Sequence, residues 1–356
     1  MAYDTEDCGF PPERIERISD PASGLEGVIV VHSTRLGPAA GGCRLWDYPD
    51  DAAMVSDALR LAEGMSYKNA LAGLPLGGGK AVMRRPPGEF DRAELFRAFG
   101  RAVHRLGGDY VTAEDVGTGV TDMAHVACST AYVSGLASRP GRSGGDPSPW
   151  TARGVFGAIR VASLHRFDRP LADLRVAVQG LGSVGAELCR LLHLAGACLT
   201  VADVDRAKVS AMVAAYSATA VAPNAIASAD VDVFAPCALG ATLDQQSISQ
   251  MRAKVVCGAA NNQLATDATG ERLASTGILF APDFLVNAGG IVSVAGEYFG
   301  WEEAEVMWRV DAIPARLGDL LCASERTGER PESIARRQAR SIIASGAKST
   351  ALESAL

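Results

Sequence analysis

The sequence predicts an α/β fold of two domains, and three observations lead to this prediction. The chain has 356 residues, about twice the ~150 that one domain usually takes. Near its middle, the apolar run Leu174–Gln179 leads directly into the glycine motif Gly180–Gly185 and then into a helical pattern. Further buried-type strands follow at helix-plus-strand spacing, at 231–236, 254–260 and 277–282. Strands that alternate with helices form a parallel sheet covered on both faces, so we expect a doubly wound second domain.

The bulk composition excludes several function classes. An apolar content of 48% fits a globular protein with a sizeable core. The net charge of −7 leaves no basic excess to meet phosphates, which argues against a nucleic-acid or membrane-surface binder. No apolar run reaches the ~18–20 residues that span a bilayer, and the acidic first ten residues are not typical of a signal peptide. We therefore expect a cytoplasmic protein with no nucleic-acid partner and no membrane partner.

The eight cysteines are scattered along the chain. They form no Cys-x-x-Cys pair, and no histidine stands at ligand spacing from them. We interpret them as reduced, mostly buried thiols, and we expect no metal site.

The boundary between the domains is predicted in the segment 139–149, which is rich in Gly, Pro and Ser and carries no apolar periodicity. This places the first domain at residues 1–145 and the dinucleotide-binding domain at residues 146–324.

The first domain begins with a predicted β-hairpin within residues 13–48. The glycine-rich stretch Leu36–Arg44 would let backbone N–H groups approach a ligand, although a bulge or tight bend explains it as well. Helices are predicted from Asp50-Asp51 to about Ala70 and over 91–106, with a short strand at 81–83 between them.

A strand that begins at Tyr110 is predicted to end at the acidic pair Glu114-Asp115. Ligand sites favour the carboxyl ends of strands in α/β folds. An acidic pair that caps the next helix is the alternative.

Two lysines stand in the small, apolar stretch 64–80. Lys68 continues the helical row of Met65 and therefore shares its face, although a snorkelling lysine is the alternative. Lys80 follows three glycines, and a solvated lysine after a tight glycine turn is the alternative for it. Burial and a second nearby cation both disfavour a charged ammonium, so a lysine in this stretch is a candidate general base.

The glycine motif has the full context of a Rossmann dinucleotide site. Gly180 is expected to make the tight turn, Gly182 to admit the pyrophosphate, and Gly185 to let helix pack on strand. The helix that starts at Ser183 and Val184 offers backbone donors and a favourable dipole to the phosphates. Asp203 ends the next strand about 20 residues on, where it would accept from the adenosine ribose and repel a 2′-phosphate, which predicts NAD over NADP.

These motifs, taken in order, resemble those of the glutamate/leucine/phenylalanine/valine dehydrogenase family over about residues 25 to 345. The matching strings include GPAAGG at 37–42, LGGGK at 76–80, TAEDVGT at 112–118, CGAANN at 257–262 and DFLVNAGG at 283–290. The resemblance implies an active site in the cleft between two domains, and a last segment, about 325–356, that returns to the first domain.

The resemblance also implies a role for each matched residue. Lys80 would be the base that activates water, and Asp115 would exchange a proton with the amine. Lys68 would bind the substrate carboxylate, helped by the backbone near Gly42 and by Asn261. Further cofactor contacts would come from Thr151, Asn262 and Asn287.

The substrate implied is an apolar L-amino acid, branched-chain or aromatic (Val, Leu, Ile or Phe), reversibly deaminated to a 2-oxo acid and ammonia. Family members that act on glutamate resemble this chain but place Lys at Ala40 and Ser at Val294, and neither residue present here can pair a side-chain carboxylate. The apolar pocket would be formed by Ala40, Met65, Ala113, Ile291 and Val294.

Two other functions remain open on the sequence alone. One is a Rossmann dehydrogenase that reduces a hydroxy acid or other carbonyl without ammonia, and the other is an NAD-binding regulatory protein with a dead site. For the amino-acid dehydrogenase that we favour, we expect an amino acid, its 2-oxo acid and ammonia as small-molecule partners, and a homo-oligomer.

Overall fold

The computed structural model describes residues 10–137, 143–238 and 243–346. Residues 139–142 of the predicted linker therefore lie outside the described residues, as does Cys8. The chain forms two compact units. The first takes in the chain up to Asp146, Ser293–Val306 and the stretch from Gln338 onward, and the second takes in Pro147–Val292 and Met307–Arg337. The sequence predicts the return to the first unit at about 325, whereas the structure begins it at Gln338 and adds a separate segment before it.

The first unit contains a mixed sheet of described strands in the order β1-β2-β4-β3-β5. The strands are β1 Arg14–Asp20, β2 Leu25–Ser33, β3 Ala39–Trp46, β4 Gly77–Arg84 and β5 Tyr110–Glu114. Strands β1 and β2 form the predicted antiparallel hairpin, and β3 runs parallel to both β4 and β5. The carboxyl end of β5 therefore lies beside β3, which is how Asp115 reaches the glycine-rich strand.

Helices cover both faces of this sheet. They are α1 Asp51–Leu71, α2 Arg92–His104 and α3 Val120–Ala127. On one face Met54 and Ala58 of α1 pack against Val28 and Val30 of β2. On the other face α2 and α3 close a larger core. The predicted start of α1 is confirmed, since the Asp50 side chain accepts the N–H of Ala53.

The three glycines before Lys80 are the first residues of β4, so the alternative of a tight glycine turn is wrong. Helix α1 crosses them so closely that a side chain on Gly78 would overlap the backbone of Ser66. Glycine is required here by the neighbouring helix and not by a left-handed backbone.

The second unit contains a parallel sheet whose described strands follow the order β11-β10-β9-β6-β7-β8. The strands are β6 Arg175–Gln179, β7 Cys198–Ala202, β8 Thr219–Ala220, β9 Val233–Pro236, β10 Val255–Val256 and β11 Leu279–Phe280. This order reverses direction between β6 and β9, as in the doubly wound dinucleotide-binding fold. The predicted fold class of two α/β domains, one of them Rossmann-type, is confirmed.

The remaining helices follow the first unit's α3 and carry the chain to the end of its described part. They are α4 Ser148–Phe167, α5 Ser183–Leu194, α6 Arg206–Tyr216, α7 Gln245–Gln250, α8 Asp267–Ser275, α9 Asp283–Val286, α10 Gly289–Phe299, α11 Glu303–Asp311, α12 Ile313–Thr327 and α13 Pro331–Ser345. Three helices follow residue 302 in the described chain, whereas the sequence pattern of residues 302–350 predicts two. Pro314 explains the extra break, because proline sits in the first turn of α12 and cannot continue α11.

The cysteine prediction needs a correction. Cys43, Cys189 and Cys257 are buried free thiols, but the free thiols of Cys128, Cys198 and Cys322 are exposed. Apolar neighbours in sequence did not predict burial because helix and strand periodicity turns adjacent residues to opposite faces. No described helix is long and apolar enough to cross a membrane.

Candidate active site

The α1 face of the first sheet presents a row of residues across three strands. Register pairs Ala40 with Gly78 and Cys43 with Ala81, so Gly42 of β3 lies beside Lys80 of β4. On its other side Gly42 pairs with Ala113 of β5. The row therefore places Gly42 between a lysine and the strand that leads to Asp115, with no side chain in the gap.

Gly42 is required by its neighbours. A Cβ at this position would lie 2.9 Å from the Asp115 Cβ and would overlap the Glu114 carbonyl. The glycine-rich stretch is thus neither a bulge nor a bend at this point but a strand that lets Asp115 approach.

Asp115 and Lys80 are in direct contact, with Lys80 Nζ 2.9 Å from Asp115 Oδ2. Lys80 is only 5% exposed, so the solvated alternative for this lysine is wrong. The loop after β5 is fixed by Thr118, whose Oγ1 accepts the Asp115 N–H at 2.8 Å. Asp115 does not cap the next helix, because α3 is capped by Gly119 and Asp122.

Arg44 is a second cation on the same carboxylate oxygen, and sequence reasoning did not assign it to the site. Its Nε lies 3.0 Å from Asp115 Oδ2, and its Nη1 lies 2.8 Å from Asp57 Oδ2 on α1. The signal in the sequence was its position two residues after Gly42, which places both on the same face of β3.

The electrostatics keep the Asp115 carboxyl ionised. Burial raises its pKa, but the positive charges of Lys80 and Arg44 outweigh burial and lower the pKa to about 2. A carboxylate held between two cations can accept the ammonium of a substrate and later return its proton.

Lys68 lies in the last turn of α1 and is 9% exposed. The residue that follows it, Asn69, donates its side-chain amide to the Gly77 carbonyl and to the Ala40 carbonyl at 3.5 Å. This bond fixes the end of α1, and with it Lys68, above β3 and β4. Little of the Lys68 surface is exposed, which disfavours the snorkelling alternative.

Three of the predicted pocket residues lie in this region of the first unit. Ala40 and Ala113 belong to neighbouring strands and are buried, and Met65 of α1 packs over Gly41. Ile291 and Val294 lie on α10, one helical turn apart. Their place in a common substrate pocket stays a prediction.

The second unit holds the dinucleotide motif at the carboxyl end of β6. Gly180 has φ +90°, a conformation that favours glycine, and the turn it makes leads into α5. A Cβ on Gly182 would meet no atom within 4 Å, so space remains above the helix N-terminus formed by Gly182, Ser183 and Val184. A Cβ on Gly185 would overlap the Gly180 carbonyl, so helix and strand touch there.

Asp203 directly follows β7, and its carboxylate binds the glycine loop. Its Oδ2 accepts the Leu181 N–H at 2.6 Å, and its Oδ1 accepts the Asp205 N–H at 2.8 Å. Burial raises the pKa of this carboxyl, but these backbone donors and Lys208 outweigh it and lower the pKa. The sequence placed Asp203 at the ribose but did not show that it also fixes the phosphate loop.

The remaining predicted residues of this unit form a polar group near the start of α10. Asn287 donates its amide to Asn261 Oδ1 at 2.8 Å and to the Ala259 carbonyl at 3.0 Å. Thr151 of α4 lies against Gly290, where a Cβ would be 2.6 Å from its Oγ1. Asn262 adopts φ +51°, which asparagine tolerates better than most residues.

These features fit a nicotinamide dinucleotide. The Asn287 Oδ1 is buried, and no described residue donates a hydrogen bond to it, so it can accept from a carboxamide N–H. The glycine turn and the open space at Gly182 suit the pyrophosphate. Within the described ranges, no group of three or more His, Cys, Asp or Glu side chains is arranged to hold a metal ion.

A doubly wound sheet with this glycine turn, joined to a second α/β unit that carries a buried lysine–aspartate pair, defines the class of two-domain nucleotide-dependent dehydrogenases. Comparison with known sequences identifies the family within this class. Residues 12–132 match the model of the "Glu/Leu/Phe/Val dehydrogenase, dimerisation domain", and residues 200–330 match that of "Glutamate/Leucine/Phenylalanine/Valine dehydrogenase". The chain belongs to the Glu/Leu/Phe/Val dehydrogenase family, as its motifs predicted.

Individual relatives cover most of the chain. The leucine dehydrogenase of Bacillus subtilis (strain 168) is 45% identical over 89% of this chain and 87% of its own length. The valine dehydrogenase of Streptomyces albus is 46% identical over 82% of this chain and 80% of its own. The crystal structure of L-tryptophan dehydrogenase from Nostoc punctiforme matches with a TM-score of 0.79 at 37% identity, over 94% of this chain and 96% of that one.

Proposed function

We propose that this amino-acid dehydrogenase catalyses the reversible, NAD-dependent oxidative deamination of apolar L-amino acids to 2-oxo acids, ammonia and NADH. Relatives at 40–46% identity are leucine, valine and tryptophan dehydrogenases. The observation that carries the chemistry is the contact of Lys80 with Asp115, since it joins a candidate base to a candidate proton carrier in an enclosed site.

Asp115 begins the forward reaction in this proposal. Its ionised carboxylate binds the substrate ammonium and takes one proton from it, which leaves a neutral amine. The bound dinucleotide supplies the chemistry of a hydride acceptor for the hydrogen on Cα, and loss of that hydride leaves an imino acid.

Lys80 acts in the hydrolytic half. As a neutral amine it takes a proton from water while the water oxygen attacks the imino carbon, which gives a carbinolamine. Asp115 returns its proton to the carbinolamine nitrogen and then receives from Lys80, across their direct contact, the proton taken from water. Lys80, neutral again, takes the hydroxyl proton as the C–N bond breaks and ammonia leaves. The products are the 2-oxo acid and ammonia, and the atoms of one water molecule are consumed.

Lys68 binds the substrate carboxylate in this proposal. The buried ammonium of Lys68, at the end of α1, supplies a positive charge to the carboxylate and transfers no proton. Gly42 and Asn261 are proposed as further partners of the substrate, Gly42 through its backbone.

NAD is proposed over NADP because Asp203 presents a carboxylate at the end of β7. A second negative charge from a 2′-phosphate would be repelled there, whereas ribose hydroxyls can donate to the carboxylate. Thr151, Asn262 and Asn287 are proposed at the nicotinamide end. The backbone donors and Lys208 that lower the pKa of Asp203 against the effect of burial favour its charged form.

The side-chain pocket is proposed to accept both branched-chain and aromatic substrates. Ala40 and Ala113 are small and buried. Ala40 also brings no charge to the position where glutamate-type members, which resemble this chain, carry a lysine. An apolar pocket separates substrates that differ by one methylene by only ~1–3 kcal/mol, so a broad range is expected.

We also propose a homo-oligomer in the cytoplasm. The family model that matches residues 12–132 describes a dimerisation domain. Three exposed free thiols, at Cys128, Cys198 and Cys322, are compatible with a reducing compartment.

NADH formation with a panel of L-amino acids tests the proposal. We expect turnover with valine, leucine, isoleucine, phenylalanine or tryptophan, and reductive amination of the matching 2-oxo acid only when ammonium is present. Failure of all five amino acids, with reduction of a 2-oxo acid in the absence of ammonium, would instead support a hydroxy-acid dehydrogenase. NADH binding without any turnover would support a dead site.

A further inference from the structure

Arg44 connects the proposed catalytic pair to helix α1. Its guanidinium contacts Asp115 Oδ2 at 3.0 Å and Asp57 Oδ2 at 2.8 Å, and the Tyr48 hydroxyl donates to the same Asp57 oxygen at 2.6 Å. The side chains of Arg44 and Asp57 are 17% and 15% exposed, so neither ion pair lies on the open surface. The bridge therefore fixes the guanidinium at both ends.

The charge balance at Asp115 changes during the proposed reaction. When Lys80 has given up its proton to work as a base, it no longer offers a positive charge to Asp115. A largely buried carboxylate without a cation would take up a proton. Arg44 does not lose its charge, because a guanidinium cannot be deprotonated in proteins. Burial lowers the Arg44 pKa, but Asp115 and Asp57 outweigh it and raise the pKa further.

The geometry also leaves one carboxylate oxygen open. Of the ion pairs and hydrogen bonds formed by described side chains, those to the Asp115 carboxylate all end on Oδ2. Both Lys80 and Arg44 occupy that oxygen, and Oδ1 receives neither of them. An ammonium group can therefore approach Oδ1 without displacing either cation.

We propose that Arg44 is a positioning residue for the deamination: it keeps Asp115 ionised while Lys80 is neutral, and it holds Oδ2 so that Oδ1 receives the substrate nitrogen. This inference rests on the proposed function. The described titratable groups bonded in this network are Lys80 from β4, Asp57 and Arg60 from α1, and Tyr48 after β3, and of these only Lys80 contacts Asp115 directly. Cys43 of β3 and Tyr110 of β5 also interact electrostatically with Asp115.

The test compares Arg44→Gln and Arg44→Lys with Arg84→Gln as a matched control. Arg84 is also a sheet arginine that pairs with an aspartate of α1, here Asp51 at 2.7 Å, but it does not contact Asp115. We measure the pH dependence of kcat/KM for deamination, kcat and KM at the wild-type optimum, and NADH binding. NADH binding that matches the wild type shows that a variant is folded.

Arg44→Gln is expected to lower kcat at least about 10-fold. It is also expected to move the acidic limb of the pH profile to higher pH by roughly one unit, because the Lys80–Asp115 pair holds its proton more tightly without the nearby cation. Arg44→Lys keeps the positive charge, so its acidic limb should lie at the wild-type pH. Its kcat should stay below that of the wild type, since an ammonium cannot bridge two carboxylates as the planar guanidinium does. Arg84→Gln should change neither kcat nor the position of the acidic limb.

An acidic limb in Arg44→Gln that matches the wild type would overturn the inference, whatever happens to KM or thermal stability. If Arg44→Gln does not fold, Arg44→Lys decides the question. A wild-type kcat in Arg44→Lys refutes the positioning role. A reduced kcat, with the acidic limb of the pH profile at its wild-type position, supports it. Absence of deamination by the wild-type enzyme would instead refute the proposed function, so the two failures are distinguishable.

Discussion

Lys80 Nζ lies 2.9 Å from Asp115 Oδ2, although Lys80 belongs to β4, Asp115 directly follows β5, and β3 lies between these two strands. The contact exists because Gly42, between them, has no side chain. A proton can therefore be shared or passed directly between a candidate base and a candidate acid.

Substitution of Lys80 by alanine tests the base. We expect kcat to fall by about 10²–10⁴, the usual contribution of one general base, while NADH binding is retained because the dinucleotide motif lies on the other unit. Steady-state kinetics and NADH fluorescence titration measure the two effects. Lys254→Ala, which removes an exposed lysine, is the control. Near-normal turnover in Lys80→Ala would exclude Lys80 as the base.

Asp115 makes a pH-dependent contribution to stability. Its pKa is lowered in the folded protein to about 2, compared with ~3.9 in an unfolded chain. The unfolded state therefore binds the proton first as the pH falls, and the stabilisation is present above about pH 4 and is lost towards about pH 2. We expect Asp115→Asn to melt at a lower temperature than the wild type near neutral pH, with the gap shrinking below about pH 4. A gap that stays constant down to about pH 3 would contradict the ionised pair.

Two glycines of the same region should respond oppositely to alanine. A Cβ on Gly78 would overlap Ser66 of α1, so Gly78→Ala should destabilise the protein by at least ~1–3 kcal/mol. A Cβ on Gly64, within α1, would meet no atom within 4 Å, so Gly64→Ala should stabilise the helix by roughly 0.5–1 kcal/mol. Thermal melts of the pair distinguish close helix–strand approach from a general effect of adding a methyl group. Equal shifts in both variants would contradict the packing of α1 on β4.

Local signals account for what the sequence predicted correctly. The start of α1 could be predicted because the Asp50 side chain accepts a hydrogen bond from Ala53, only three residues away. The dinucleotide-binding motif could be predicted because its strand, turn and helix start all lie within about a dozen residues. The family resemblance then placed Lys80 and Asp115 in one reaction, and the structure brings these two into contact.

Long-range relationships account for what the sequence did not predict. Arg44 and Asp115 are 71 residues apart and meet only because β3 and β5 pair in parallel. The sequence left a tight turn open for the glycines before Lys80, whereas the closeness of α1 is what requires them. In both cases the partner that explains the residue lies on another element.

Ala40 is the position expected to set the size of the substrate side chain. It is 2% exposed and pairs with Gly78 in the row that faces α1. Ala40→Leu should lower kcat/KM for tryptophan at least about 10-fold more than for valine, because each added carbon in an enclosed apolar pocket costs ~1–3 kcal/mol of discrimination. Valine measured on the same preparation is the internal control for overpacking of the strand. An unchanged ratio of tryptophan to valine would remove Ala40 from the pocket.

Asp203 carries two tasks that one substitution can separate. Its charge is proposed to reject the 2′-phosphate of NADP, while its oxygens accept the Leu181 and Asp205 N–H groups. Asp203→Asn keeps one carbonyl oxygen as an acceptor and removes the charge. We expect the NAD/NADP ratio of kcat/KM to fall at least about 10-fold in Asp203→Asn, with only a modest rise in KM for NAD. Asp203→Ala also leaves the Leu181 N–H without its acceptor, so it should raise KM for both cofactors as the phosphate loop loosens. Cofactor selectivity that is unchanged in Asp203→Asn, with both cofactors weakened in Asp203→Ala, would leave Asp203 with the loop-fixing task alone.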